Sequence, residues 1–282
     1  MKILVLGGTK YIGVHLVNEL LSNGHDVTIG TRGKAPENYG NNVKRKIIER
    51  QSPDSLRAAF NNEFYDAVID NLAYCSNDVR FLLDAIHTKK YIMTSTASVY
   101  SGNFHMNIRE AEADTKKHSL IWCGYDEYTY DESKRQAESA LFQSYSSLPS
   151  VAVRFPWIFG RDDYTKRLYF YIEHIFNEQA INVNNSDSQL AFINSLEAGR
   201  FLAWCAENPI LGYVNASSGG TVSLAEIIAY TEKSANKRLN CATSFLSLLL
   251  FATFVFLRQK QLLKSHCLPF IIVTNPVRIL PL

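Results

Sequence analysis

Lys2-Ile3-Leu4-Val5-Leu6-Gly7-Gly8-Thr9-Lys10-Tyr11-Ile12-Gly13 is the stretch from which the rest of the 282-residue chain can be read. A run rich in branched apolar side chains breaks at once into glycines, and apolar residues then return at helical spacing at Leu16, Val17, Leu20 and Leu21. That order predicts strand, tight turn and helix. A diphosphate needs backbone N–H groups with no Cβ in the way, at a helix start whose unpaired donors and dipole favour negative charge. Gly7 suits the tight turn, Gly8 the close approach and Gly13 the packing of helix on strand. Spaced glycines alone are a weak signal. Here they follow a buried-type strand, open a helix and precede Gly24-His25-Asp26 and a second strand at Val27–Ile29, the context of a dinucleotide site.

The same alternation continues down the chain. Lys44–Glu49 reads as a third strand, Ser55–Phe60 as a helix begun near Pro53-Asp54, Asp66–Leu72 as a fourth strand and Asp78–Ile86 as a helix. Lys90–Met93 enters a fifth strand that ends in Thr94-Ser95-Thr96-Ala97-Ser98-Val99-Tyr100. Asp131–Tyr145 has helical spacing, Val151–Phe155 is a sixth strand, and Tyr169–Phe176 is an amphipathic helix. Leu196–Ala206, Gly212–Ala216 and Leu224–Thr231 follow as helix, seventh strand and helix. Strands alternating with helices at this pitch predict right-handed crossovers and a doubly wound parallel sheet of Rossmann-like α/β type, with ligands at the carboxyl ends of the strands. The hydroxyls after Met93 are therefore placed where chemistry occurs. Tyr130 and Lys134, four apart, share one helix face about thirty residues later.

After the second strand, Thr31-Arg32-Gly33-Lys34 lacks the acid that would hold the ribose hydroxyls of NAD; Arg32 and Lys34 suit a 2′-phosphate, which favours NADP over NAD. Glu49 closes the third strand beside the expected adenine. Formal net charge is +2 and the only dense basic run is Lys44-Arg45-Lys46, so no nucleic-acid partner is implied. The five cysteines, Cys75, Cys123, Cys205, Cys241 and Cys267, contain no CxxC pair and suggest neither a disulfide framework nor a metal site. With Met1 leading straight into the first strand, a cytoplasmic protein is expected.

Taken together, VLGGTKYIG, the strand-end TSTASVY, YDESK and RFPWIFGRDD resemble the extended short-chain dehydrogenase/reductase family, in particular its NAD-dependent epimerase/dehydratase branch, over about Met1 to Lys237. The resemblance implies an NAD(P)-binding domain over 1–238 with a small substrate-binding subdomain, drawn mainly from 161–188 and 219–238. It implies a catalytic triad at Thr96, Tyr130 and Lys134, with the Lys134 ammonium lowering the Tyr130 phenol and also reaching the nicotinamide ribose. The cofactor-facing set is then Gly7, Gly8, Thr9, Lys10, Tyr11, Ile12, Gly13, Arg32, Glu49, Ala73 and Lys134. The activity implied is that of an oxidoreductase of epimerase, dehydratase or reductase type, acting on a hydroxyl or carbonyl of a small polar, sugar-like substrate. Family members often pair through the helix carrying Tyr130, so a homodimer is expected by analogy.

The departures are as informative. Lys10 replaces the family's usual middle glycine, with its ammonium near the phosphates. Trp157 stands where nucleotide-sugar epimerases commonly carry Asn, and Leu190-Ala191 where they carry Arg-Asp, which removes polar handles for a nucleoside diphosphate. The segment 239–282 has none of the family's closing pattern; between Arg238 and Arg258 run 19 uncharged residues, LNCATSFLSLLLFATFVFL, just long enough to cross a bilayer. A membrane anchor at 239–257, a packed segment and a frame-altered tail compete there. The alternative to an enzyme is a non-catalytic NAD(P)-binding sensor or RNA-binding protein, because the GGTxxIG opening also resembles chloroplast stem-loop RNA-binding proteins.

Overall fold

In a computed structural model, which describes residues 1–236 except 62, 104, 106 and 182–184, seven parallel strands form the central sheet. They are β1 (Lys2–Leu6), β2 (Asp26–Thr31), β3 (Val43–Ile47), β4 (Ala67–Asp70), β5 (Tyr91–Thr96), β6 (Ser150–Phe155) and β7 (Gly212–Asn215), in the spatial order β7-β6-β5-β4-β1-β2-β3. The order reverses between β1 and β4, so the crevice at their carboxyl ends is the ligand-binding switch point of such a sheet. Near-continuous apolar runs form the inner strands because both faces are covered, whereas the edge strand β3 (VKRKI) is largely exposed. Ile3 and Val5 face one core layer with Leu16, Val17 and Leu20, whereas Leu4 and Leu6 face the other with Leu56, Phe60 and Leu82.

The helices are α1 (Ile12–Ser22), α2 (Pro53–Phe60), α3 (Ser76–Leu83), α4 (Tyr130–Ser139), α5 (Arg167–Phe176), α6 (Ser195–Glu207) and α7 (Leu224–Ala235). Ser52 starts α2 by accepting from the Ser55 amide at 3.2 Å, with Pro53 at the first helical position. Ser223 and Glu226 form a reciprocal cap on α7. The helix expected over Asp131–Tyr145 is shorter: α4 ends at Ser139 and Ala140–Ser144 is a single wide π turn. The fourth strand is narrower than its sequence run, since Leu72 leaves the sheet when its amide donates to Asp70 Oδ1 at 2.8 Å.

Among the described residues three short pairings have no periodicity in the sequence, one of them Phe64–Tyr65 parallel to His87–Thr88. Trp157–Phe159 runs parallel to Phe192–Asn194, and Gln189–Leu190 runs antiparallel to Val222–Ser223. Beside them α5 and α7 meet around Ile175, Ile181, Tyr171 and Ile228, which brings parts of 161–188 and 219–238 together. Among the described residues no helix is long and apolar enough to cross a membrane. The three expectations for 239–282 fall outside the described residues.

Candidate active site

At the end of β1 the chain turns through Gly7 with φ +79° and enters α1. A Cβ on Gly13 would lie 1.9 Å from the Gly7 carbonyl oxygen, so only glycine permits this approach of helix and turn. Gly13→Ala is accordingly expected to cost at least about 1–3 kcal/mol, the usual range for overpacking, measured as a lowered urea midpoint. The first turn of α1 has no acidic residue and no side-chain cap. Its amides and dipole thus suit a diphosphate. Tyr11, a non-glycine residue at φ 53°, is tied down by its hydroxyl, which donates to the Ile158 carbonyl at 2.5 Å; such backbone strain costs about 1–3 kcal/mol and gathers at functional sites. Tyr39 donates to the Gly8 carbonyl at 2.6 Å from below. Thr9 is half-buried and Ile12 buried in this turn, while exposed Lys10 places its ammonium 5.8 Å from the Tyr164 ring.

The expected adenine end lies at the ends of β2 and β3. Thr31 pairs with Ile47, and the Ile48 amide donates to the Thr31 carbonyl at 2.9 Å, so exposed Arg32 follows β2, next to β1, and exposed Glu49 follows β3 on its far side. Gly33 turns at φ +69° with its amide on Thr31 Oγ1.

Across the switch point, the structure brings Thr96, Tyr130 and Lys134 together. Thr96 ends β5, with its hydroxyl donating to Ser98 Oγ at 3.1 Å and near enough to the Tyr130 phenol to oppose its upward shift. Lys134, one turn on and 3% exposed, donates to the Ala73 carbonyl at 2.7 Å and the Thr94 carbonyl at 2.6 Å. Burial pulls the ammonium down to about 8, against the opposing pull of Glu138, Asp70 and Asp78. The phenol departs from expectation. Burial holds Tyr130 above its ordinary value; the Thr96 hydroxyl and the Arg167 guanidinium only partly oppose this. Two of the Lys134 ammonium protons go to the Ala73 and Thr94 carbonyls.

The sequence did not single out the tyrosines around this centre. Tyr74 lies under Lys134, 5.5 Å from ammonium to ring centre, and meets Tyr125 edge-on at 5.3 Å; Tyr164 meets Tyr11 edge-on at 6.0 Å. Tyr74 directly follows Ala73, the one available signal. Trp157, Phe159 and Phe192 form an aromatic wall, with the last two stacked at 4.5 Å. Leu190 and Ala191 are buried at 3% and 1% exposure, so the positions of the expected polar handles are apolar in space as well.

A seven-stranded parallel sheet flanked by helices, with a glycine turn at its switch point, defines a Rossmann-like α/β fold. Residues 3–212 match the NAD dependent epimerase/dehydratase family, and the chain belongs to that family. UDP-glucose 4-epimerase of Thermus thermophilus, solved as a complex with NAD, superposes with TM-score 0.61 at 17% identity over 86% of this chain and 85% of that one. Chloroplast stem-loop binding protein of 41 kDa b from Arabidopsis thaliana is 30% identical over 113 residues, 35% of this chain and 30% of the relative. A 2′-dehydrokanamycin reductase from Streptomyces kanamyceticus is 32% identical over 85 residues, 30% of this chain and 24% of the relative. The chain thus spans less than a third of the length of these curated relatives.

Proposed function

We propose that the protein is an NAD(P)-dependent oxidoreductase of epimerase, dehydratase or reductase type, acting on a hydroxyl or carbonyl of a small polar, sugar-like substrate, with NADP as the preferred cofactor. The observation that carries this reading is Lys134, buried one turn beyond Tyr130 and bonded to the Ala73 carbonyl and to the Thr94 carbonyl near the end of β5, where Thr96 lies. The residues present fit a dinucleotide: the Gly7–Gly13 approach leaves no room for a Cβ, and the uncapped first turn of α1 offers amides to an anion. When bound, the nicotinamide supplies or accepts hydride. Tyr130 donates its phenolic proton to the substrate oxygen in reduction and takes it back in oxidation. Thr96 orients that oxygen. Lys134 fixes the end of β5 and the Ala73 loop relative to the phenol, with a positive charge between them.

Consumption of NADPH across a panel of sugar-like and other polar carbonyls tests the reading; binding without turnover on the whole panel would favour a sensor. For the cofactor itself, Arg32→Ala is expected to weaken NADPH by about 1.5–3 kcal/mol, the worth of a charge-assisted hydrogen bond, and to leave NADH unchanged. Fluorescence titration of both cofactors checks this, and equal affinities would reject NADP preference.

The local likeness to a stem-loop binding protein favours a second reading, RNA binding. Against it stands the state of the basic run: Lys44 pairs with Asp26, Arg45 with Glu37 and Lys46 with Glu63. Charges already paired offer little to phosphates.

A further inference from the structure

Three charged side chains lie buried beside the candidate site without belonging to it. Arg50 is 8% exposed, and Asp70 and Asp78 are fully buried. Ions taken out of water cost several kcal/mol each even when paired, and well-packed apolar residues are often as stable in their place. What these three do is visible in their bonds. Asp70 Oδ1 accepts from the Leu72 amide at 2.8 Å, and Asp78 Oδ2 accepts from the Tyr74 amide at 2.8 Å and the Cys75 amide at 3.2 Å. The two carboxylates therefore grip the chain on either side of Ala73, whose carbonyl receives the Lys134 ammonium.

Arg50 links the grips. Its Nη2 donates to Asp70 Oδ2 at 2.6 Å and to the Asp78 carbonyl at 3.0 Å, and its Nε stands 3.6 Å from Asp78 Oδ1. Tyr91 and Gln51 complete the carboxylates at 2.7 and 2.8 Å. The guanidinium itself is under-satisfied: among the described residues Nε and Nη1 have no hydrogen-bond partner. Its placement satisfies the two carboxylates instead.

We propose that Arg50, Asp70 and Asp78 form a positioning clamp that fixes the Ala73 carbonyl opposite the Lys134 ammonium. This rests on the reading of Lys134 as part of the active site. The groups facing Lys134 are Glu138 on its own helix, Asp70 at the end of β4, Cys75 and Asp78 at the start of α3, and the Tyr74 ring. Glu138 is in turn paired with Arg154, which leaves the clamp as the group of charges whose balance can be altered without breaking α4 from β6.

The test is competitive acetylation of Lys134 in the full chain, followed by peptide mass spectrometry across pH. The unaltered protein is expected to show a midpoint near 8. Arg50→Met leaves two carboxylates unneutralised and should raise that midpoint by about one pH unit, a tenfold change in the charged fraction. Asp78→Asn leaves excess positive charge and should lower it, while Arg50→Lys should restore the original value. A loop that is merely loosened moves both variants upward together, toward the free lysine value. Shifts in opposite directions support the clamp; shifts in the same direction, or none in variants that still unfold cooperatively, overturn it. If Arg50→Met does not fold, Asp78→Asn decides alone, a fall supporting the clamp and a rise or no change overturning it. NADPH titration of the unaltered protein judges the functional reading separately, because the labelling needs no cofactor.

Discussion

Tyr130→Phe is expected to abolish turnover on any substrate that the unaltered protein reduces, while cofactor binding remains close to unchanged. The substitution removes one hydroxyl from a half-buried ring at the start of α4 and leaves the Lys134 bonds to Ala73 and Thr94 in place. General acid/base groups contribute about 10²–10⁴-fold, so the loss is read directly from steady-state rates. The direction of the phenol's shift adds a second readout. Burial keeps Tyr130 protonated above its ordinary range, which suits it as the proton donor in carbonyl reduction. Lys134, pulled down to about 8, is charged below that pH and neutral above it. Reduction is therefore expected to hold level on the acid side and to fall as the pH rises through about 8. A rate that climbs across that range would contradict the assignment.

The second large effect is on stability. Arg154 and Glu138 are both fully buried, paired through Nη2–Oε2 at 2.6 Å and Nε–Oε1 at 3.0 Å. The pair is also well satisfied: Arg154 donates to Tyr100, the Glu110 carbonyl and the Ala113 carbonyl, and Ser95 and Thr115 donate to Glu138. It therefore joins α4, the end of β5, β6 and the 110–115 loop in one network. Breaking such a pair by removing one partner leaves an uncompensated buried charge and costs about 3–5 kcal/mol. Glu138→Ala and Arg154→Met should each lower the unfolding free energy by that amount, read as a lowered urea midpoint with an unchanged slope. A loss under about 1 kcal/mol in either variant would mean that water enters and solvates the remaining charge.

Most of the sheet strands were legible as apolar runs alternating with helices, and the glycine turn because it sits between a strand and a helix; β3 was legible instead as a strand-length stretch, Val43–Ile47, carrying the basic run. Shorter pairings were not: Gln189–Leu190 and Val222–Ser223 have two residues each, too few for any period to appear. The i, i+4 spacing of Tyr130 and Lys134 placed them on one face but carried no information about what surrounds that face. Burial reverses the expected direction at Tyr130, and burial is a property of the packed core. The clamp and the Arg154–Glu138 pair each left one trace, a charge inside an apolar strand at Asp70 and at Arg154. Such residues are almost never buried unless paired, so a partner was implied. Which residue it would be depended on contacts 16 to 28 positions apart.

Hydride chemistry at the Tyr130 cluster, with a nicotinamide cofactor, is tested most directly with NADPH deuterated at the nicotinamide C4. The labelled cofactor is incubated with the carbonyl panel, each product is examined by mass spectrometry, and the Tyr130→Phe protein is run in parallel. Deuterium is expected on the carbon of a reduced carbonyl with the unaltered protein and none with the variant. Deuterium transfer of equal extent by both proteins, or NADPH binding with no transfer to any member of the panel, would contradict it.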